Sequence, residues 1–213
     1  MIEIVLATAN PHKIDEMRAI FASLTPGTKL IGLGDLGGTP PPEPAETGST
    51  FEANSTIKAI SYAKATGRMC LADDSGLEID ALGGKPGVIS SQYSTDGRET
   101  RMSRAERDAA NNARVLRELE GVALENRTAR FCCVMTLSSA EGKILGQVRG
   151  TFEGRIGLTD DVPRGKDGFG YDPLFLVAPA FRLTSAELSA EAKNSVSHRR
   201  NAAEKMARLV RSL

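Results

Sequence analysis

Within residues 2–24 the chain sets an apolar run of strand type, Ile2 to Thr8, directly against a helix. Asn10-Pro11 marks the junction, since Asn favours the N-cap and Pro the first helical position. Ile14, Met17, Phe21 and Leu24 then recur at helical spacing until Pro26-Gly27 stops them. A strand that runs through a tight turn into a helix is the start of a layered α/β fold, and the same alternation continues downstream. A strand is expected near Lys29 to Leu33, then a surface loop from Gly37 to Pro44. Next come a helix from Thr50 to Gly67 with Ala53, Ile57 and Ile60 on its apolar face, and a buried strand from Met69 to Ala72. That strand is expected to end in Asp73-Asp74-Ser75-Gly76, with a weaker strand at Glu78 to Leu82. A polar helix follows over about Ser103 to Leu119. A hairpin is expected from Phe131–Leu137 and Ile144–Phe152, and a strand at Pro173 to Val177. Thr184 and Glu187 have capping-box spacing, and a last helix from about Ser197 carries Ala202, Met206, Leu209 and Leu213 on one face.

At 213 residues the chain reads as one domain, residues 1–213, or as two lobes sharing a sheet. Lys+Arg and Asp+Glu both total 27, so no net field draws it to a nucleic acid backbone. No apolar stretch is long enough for a membrane span. Cys70 and the adjacent Cys132 and Cys133 read as reduced thiols in a cytoplasmic protein, because neighbours on a strand point to opposite faces.

Three segments carry chemistry. Thr8-Ala9-Asn10-Pro11-His12-Lys13 combines free N–H groups at a helix start with polar side chains and a lysine, which suits a phosphate. A capped helix with a solvated lysine also accounts for this segment taken alone. Asp73-Asp74-Ser75 places two carboxylates where a cation or hydrogen-bond donors must compensate them, and Mg²⁺ prefers carboxylate and phosphate oxygens. A polar turn is the other reading. Glu43 and Glu46 are further metal-ligand candidates. Phe169-Gly170-Tyr171-Asp172 offers an aromatic face to stack on a base and a carboxylate to accept a ring N–H, or else two rings packed under a loop. Lys193, His198 and Arg199 add donors. An Arg fork accepts a keto purine and meets an adenine amino group donor to donor. No Cys/His metal spacing and no nucleophile elbow appears, so covalent catalysis is not indicated.

As an ordered set these segments resemble the inosine triphosphate pyrophosphatase family. The matching stretches are Leu6-Ala7-Thr8-Ala9-Asn10 with Lys13, and Glu46-Thr47-Gly48 with Phe51, Asn54, Lys58 and Ala59. They continue through Ala72 to Leu77, Leu82-Gly83-Gly84 with Pro86-Gly87, and Tyr93-Ser94. Arg130 to Cys133, Gly168 to Pro173, Ala186-Glu187-Leu188 and Ser197-His198-Arg199 complete them. The resemblance implies an elongated α/β fold, a mixed twisted sheet flanked by helices with two lobes around a central cleft, and a homodimer. It implies Mg²⁺-dependent hydrolysis of non-canonical purine nucleoside triphosphates to the monophosphate and pyrophosphate. By matching position, Thr8 to Lys13 and Lys58 bind phosphates, Asp74 is proton acceptor and metal ligand, and Ser75 touches substrate. Phe169 to Asp172, Lys193, His198 and Arg199 surround the base. The family often has a glutamate where this chain has Ala45, which leaves Glu46 or Glu43 as the second metal ligand beside Asp74, or Asp74 with substrate and water. A pyrophosphatase for pyrimidine or canonical triphosphates, and a non-catalytic nucleotide-binding protein, are the rival readings.

Overall fold

The computed structural model describes the backbone of residues 2–8 and 11–213, and the side chains of these except Pro11, His12 and Glu16. The sequence readings on Ala9 and Asn10, and on the side chains of Pro11 and His12, lie outside the described residues. The described chain is mixed α/β. Its strands are β1 (Ile2–Leu6), β2 (Thr28–Gly32), β3 (Cys70–Ile79), β4 (Thr128–Ser138), β5 (Ile144–Ile156) and β6 (Phe175–Val177). Its helices are α1 (Pro11–Leu24), α2 (Phe51–Thr66), α3 (Arg104–Glu118), α4 (Ala190–Val196) and α5 (His198–Val210), with short 3-10 turns between. The strands form one sheet in the order β2-β1-β3-β4-β5-β6. β1 pairs parallel with β2 and β3, whereas β5 and β6 are antiparallel. No helix of the described residues is long and apolar enough to cross a membrane.

The chain divides into two compact units. The first holds Met1–Ser75, Cys133–Gly150 and His198–Leu213, and the second Gly76–Cys132 and Thr151–Ser197. In the first unit, strand parity sorts the side chains into two cores, because successive residues of a strand face opposite sides. Ile4, Leu6, Leu71, Cys133, Met135 and Leu137 pack with Met17 and Phe21 of α1 and Ala202 and Met206 of α5. Val5, Ala7, Cys70 and Ala72 pack with Ala59, Tyr62 and Ala63 of α2. The second unit has its own core, including Leu77, Ile79, Tyr93, Val115, Phe152, Tyr171 and Phe175.

Two differences from the sequence reading have physical causes. β3 does not end at Ala72 but runs unbroken through Asp73-Asp74-Ser75-Gly76 to Ile79. Aspartate turns form when the side chain bonds its own backbone. Here the carboxylates bond to lysines of α1 and α2 instead, so nothing competes with the strand. On α2, the buried face is Phe51, Asn54, Ser55, Lys58, Ala59, Tyr62 and Ala63, not Ala53, Ile57 and Ile60. Small and satisfied polar residues let the helix approach the sheet. Asn54 accepts from the Gly48 N–H at 2.8 Å, and the Ser55 and Thr136 hydroxyls lie 2.8 Å apart. The ends of α2 follow its sequence. Thr50 caps by accepting from the Ala53 N–H at 3.1 Å, and Gly67 takes the left-handed conformation at φ 63°. α5 stops at Val210, which leaves Leu213 exposed rather than on the helix face.

Gly150 shows how closely β5 and α5 pack, since a Cβ there would lie 2.3 Å from the His198 carbonyl oxygen and 2.3 Å from the Ala202 nitrogen. Both neighbours are backbone and have no rotamer to yield. Gly150→Ala is therefore predicted to cost about 2–3 kcal/mol. Thermal melts should show this as a Tm lowered by roughly 5–10 °C.

Candidate active site

β3 carries the centre of the site. Its parity sends Asp73 and Ser75 to the side of Leu71, towards α1 and α5, and Asp74 to the side of Ala72, towards α2. The adjacent carboxylates therefore do not sit side by side. Asp73 Oδ2 accepts from Lys13 Nζ at 2.8 Å and from the Ser75 hydroxyl at 2.9 Å. Burial works against the charge of Asp73, yet Lys13, Arg199 and Lys58 outweigh it and hold the carboxyl well below the usual carboxylate range.

Asp74 meets different surroundings. Lys58 Nζ donates to its Oδ1 at 3.0 Å and to Glu46 Oε1 at 3.1 Å. Its other oxygen, Oδ2, is buried with no hydrogen-bond partner among the described residues. Burial pushes the Asp74 carboxyl up to about 6. Lys58 opposes that rise, and Glu46 and Asp73 add to it. Burial likewise opposes the charge of Lys58, but Asp74, Asp73 and Glu46 hold its pKa above the ordinary lysine value. The two neighbouring aspartates are thus driven apart, one a fixed anion and the other a weak acid.

An orphaned buried carboxylate oxygen beside a second carboxylate fits a hard divalent cation such as Mg²⁺, which takes one or two carboxylates and completes its shell with phosphate and water. Asp74 and Glu46 are the residues that would hold it. Among the described residues no three His, Cys, Asp or Glu side chains converge. Of the two candidate glutamates, Glu46 shares Lys58 with Asp74, while no such bond joins Glu43 to it.

Arg199 and His198 are buried at the start of α5, and Arg199 lies close enough to Asp73 to lower its pKa. Cys133 is buried near the same group. Burial, with Asp73 adding to it, pushes its thiol up to about 12, which leaves no thiolate to act as a nucleophile. Thr8 is half-buried just beyond β1.

The Phe169 segment belongs to the second unit and is held at every peptide. The Phe169 N–H donates to Asp172 Oδ2 at 2.8 Å, and Lys193 Nζ donates to the same oxygen. The Gly170 N–H donates to Asp108 Oδ2 at 3.0 Å, and its carbonyl accepts from Asn112 Nδ2 at 3.0 Å. Tyr171 is buried, with its hydroxyl donating to the Ser90 carbonyl at 2.7 Å. The two aromatic rings therefore differ: Tyr171 is core, and Phe169 is 53% exposed. The Arg104 guanidinium lies over the Phe169 ring 4.5 Å from its centroid, and Lys193 Nζ 5.6 Å from it. Asp172 is buried and committed to the loop and Lys193. Sequence reasoning missed Arg104, Asp108 and Asn112. Their signal was a polar residue at every fourth position along one line of α3.

The Ham1 family model matches residues 4–209. A dITP/XTP pyrophosphatase of Bacillus licheniformis is 44% identical over 99% of this chain and 98% of its own. One from Geobacter sulfurreducens is 48% identical over 93% of this chain and 92% of its own. The solved structure of a HAM1 protein from Coxiella burnetii superposes with a TM-score of 0.84 at 40% identity, covering all of both chains. These findings agree with the family that the ordered motifs resemble.

The raised pKa of Asp74 has a consequence for stability. A carboxyl whose pKa rises on folding favours the folded state below its unfolded value, near 3.8, and that contribution is lost as pH rises through about 6. With divalent ions removed by EDTA, Asp74→Asn is predicted to be more stable than the parent at pH 8 by roughly 2–3 kcal/mol. The gain should vanish by pH 4. Tm measured across that range checks both the sign and the window.

Proposed function

This chain belongs to the Ham1 family, and from that premise we propose that it hydrolyses non-canonical purine nucleoside triphosphates, namely ITP, dITP and XTP. The products are the nucleoside monophosphate and pyrophosphate, so the enzyme is a hydrolase acting on an acid anhydride. The observation that carries the reading is the buried, unpaired Oδ2 of Asp74 beside a lysine.

Asp74 accepts a proton from the attacking water. A pKa near 6 leaves it ionised at neutral pH while keeping it a stronger base than an ordinary carboxylate. Water adds at the α-phosphorus, the bond to the β-phosphate's bridging oxygen breaks, and pyrophosphate leaves with the electron pair. Lys13 and Lys58, now paired with carboxylates, turn to phosphate oxygens and offset the charge on the leaving group. Thr8, the residues from Ala9 to His12 and Ser75 are assigned further phosphate oxygens. A divalent ion, with Mg²⁺ the ion proposed, would be held by Asp74 and Glu46. When bound it supplies charge neutralisation across the phosphates.

Phe169 is assigned the purine face, with Gly170, Tyr171 and Asp172 fixing its loop and Lys193 at its side. His198 and Arg199 are assigned the keto edge. A buried donor fork accepts the oxygen of hypoxanthine or xanthine and meets the amino group of adenine as donor against donor. The working unit proposed is a homodimer in the cytoplasm, and three buried cysteines outside any disulfide suit a reducing compartment.

Pyrophosphate release from ITP, XTP, dITP and the canonical triphosphates, with Mg²⁺ and with EDTA, tests the reaction and its selectivity. Selective, metal-dependent turnover of the first three is expected, and preferred turnover of ATP or of pyrimidine nucleotides would overturn it. Asp74→Asn should lower kcat by about 10³-fold while leaving nucleotide affinity near that of the parent. Arg199→Ala should shrink the ratio of kcat/KM for ITP over ATP by roughly 10–100-fold. An unchanged ratio removes Arg199 as the discriminating residue.

A further inference from the structure

We infer that α3 is part of the base-binding apparatus, with Arg104, Asp108 and Asn112 as positioning residues that fix the Phe169 ring for stacking. The inference rests on the assignment of Phe169 to the purine. It concerns side chains of a helix to which neither the ordered motifs nor the reaction gives a role.

An exposed aromatic ring is a good stacking surface only if its orientation is set before the ligand arrives, because ordering it on binding subtracts from affinity. Phe169 has glycines on both sides, Gly168 at φ 80° and Gly170 at φ 62°, which are backbone conformations other residues adopt with strain. Such a segment has wide freedom unless something outside it removes that freedom. α3 does so from one line of side chains four residues apart. Asp108 accepts the Gly170 N–H and Asn112 donates to the Gly170 carbonyl, so the two peptide groups that flank Gly170 are each held from α3. Arg104, one helical row earlier, lies over the ring itself.

The peptide on the other side is held by Asp172, which also binds Lys193. Without α3 the loop would still be closed locally at Phe169, whose N–H donates to Asp172 Oδ2 and whose carbonyl accepts from the Asp172 N–H at 3.3 Å. Rotation about the backbone bonds of Gly170 is what Asp108 and Asn112 remove, and the χ angles of the ring are what Arg104 restricts. A cation over the ring also offers its planar edge to any acceptor brought in with the base. The rest of α3 has other work. Arg114 binds Asp96 at 2.7 Å, and Asn111 Oδ1 accepts the Ser94 N–H at 2.7 Å. Arg104, Asp108 and Asn112 are thus separable from the helix's structural contacts.

The test uses the full-length protein and two readouts, steady-state kinetics with ITP and competitive inhibition by inorganic pyrophosphate, which engages only the phosphate groups. Asp108→Ala and Arg104→Ala should each raise KM for ITP about 10-fold, within the range that loss of a base–aromatic stack produces. kcat should change little and the pyrophosphate inhibition constant should stay that of the parent. Asp108→Asn keeps an oxygen acceptor and should restore most of the affinity. An unchanged KM in both alanine variants overturns the inference, as does a pyrophosphate constant that rises in step with KM. Phe169→Ala separates this failure from the larger one. If Phe169→Ala raises KM and the α3 variants do not, only the role of α3 falls. If Phe169→Ala leaves KM unchanged, the assignment of Phe169 to the purine falls with it. Arg104 is exposed, so Arg104→Ala carries the test even if Asp108→Ala misfolds.

Discussion

The lysine of α2 that reaches two carboxylates is the interaction on which the rest of the first unit's chemistry depends. Lys58 is buried beside the apolar α2 face, where an unpaired ammonium would be costly. It is tolerated there because Asp74 and Glu46 accept from it, and they in turn are tolerated because it is there. The arrangement is deliberately incomplete. One lysine serves two carboxylates and leaves an oxygen of Asp74 without a donor, which a fully satisfied structural salt bridge would not do. A buried ion pair is weak evidence for stability, so an imperfect one at the centre of a unit points to function.

Strand parity gives two chemically identical neighbours opposite surroundings. Asp73 faces α1 and α5 and receives Lys13, the Ser75 hydroxyl and the field of Arg199. Its proton affinity falls well below that of an ordinary carboxylate. Asp74 faces α2 and meets one cation shared with a competing carboxylate, and its proton affinity rises. A one-residue shift in the register of β3 would exchange these fates, since every side chain would change face. Asp73 keeps a separate partner, accepting from Lys13 of α1 at 2.8 Å.

Much of this was legible in the sequence, for identifiable reasons. The caps of α2, the β4–β5 hairpin and the Thr184–Glu187 box are set by local chemistry, and the structure has them. The Asp-Asp pair was visible as a compensated charge. What stayed hidden was tertiary. The path of β3 through Asp73 to Gly76 depends on lysines 16 and 60 residues away, which turn chemistry cannot reveal. The buried face of α2 misled because Asn54, Ser55 and Lys58 are polar but fully engaged, whereas Ile57 and Ile60 remain part-exposed. Hydrophobic periodicity assumes that polar residues seek water, and a functional helix breaks that assumption.

The two candidate binding regions are built differently. The phosphate recognition proposed would rest on charged side chains with flexible stems, which can exchange a carboxylate partner for a phosphate oxygen without moving the backbone. Purine recognition cannot work that way, because stacking depends on the plane of a ring and selectivity on the direction of donors. The Phe169 loop is accordingly fixed through its backbone, with its peptide groups bonded to Asp172, Asp108 and Asn112 and its anchoring Tyr171 sunk in the core. Gly168 is needed for that closure, since a Cβ would fall 2.2 Å from the Asp172 oxygen that locks the turn. Glycine supplies the conformation, and the bonds around it remove the freedom that glycine brings. A flexible sequence is thereby made into a rigid surface.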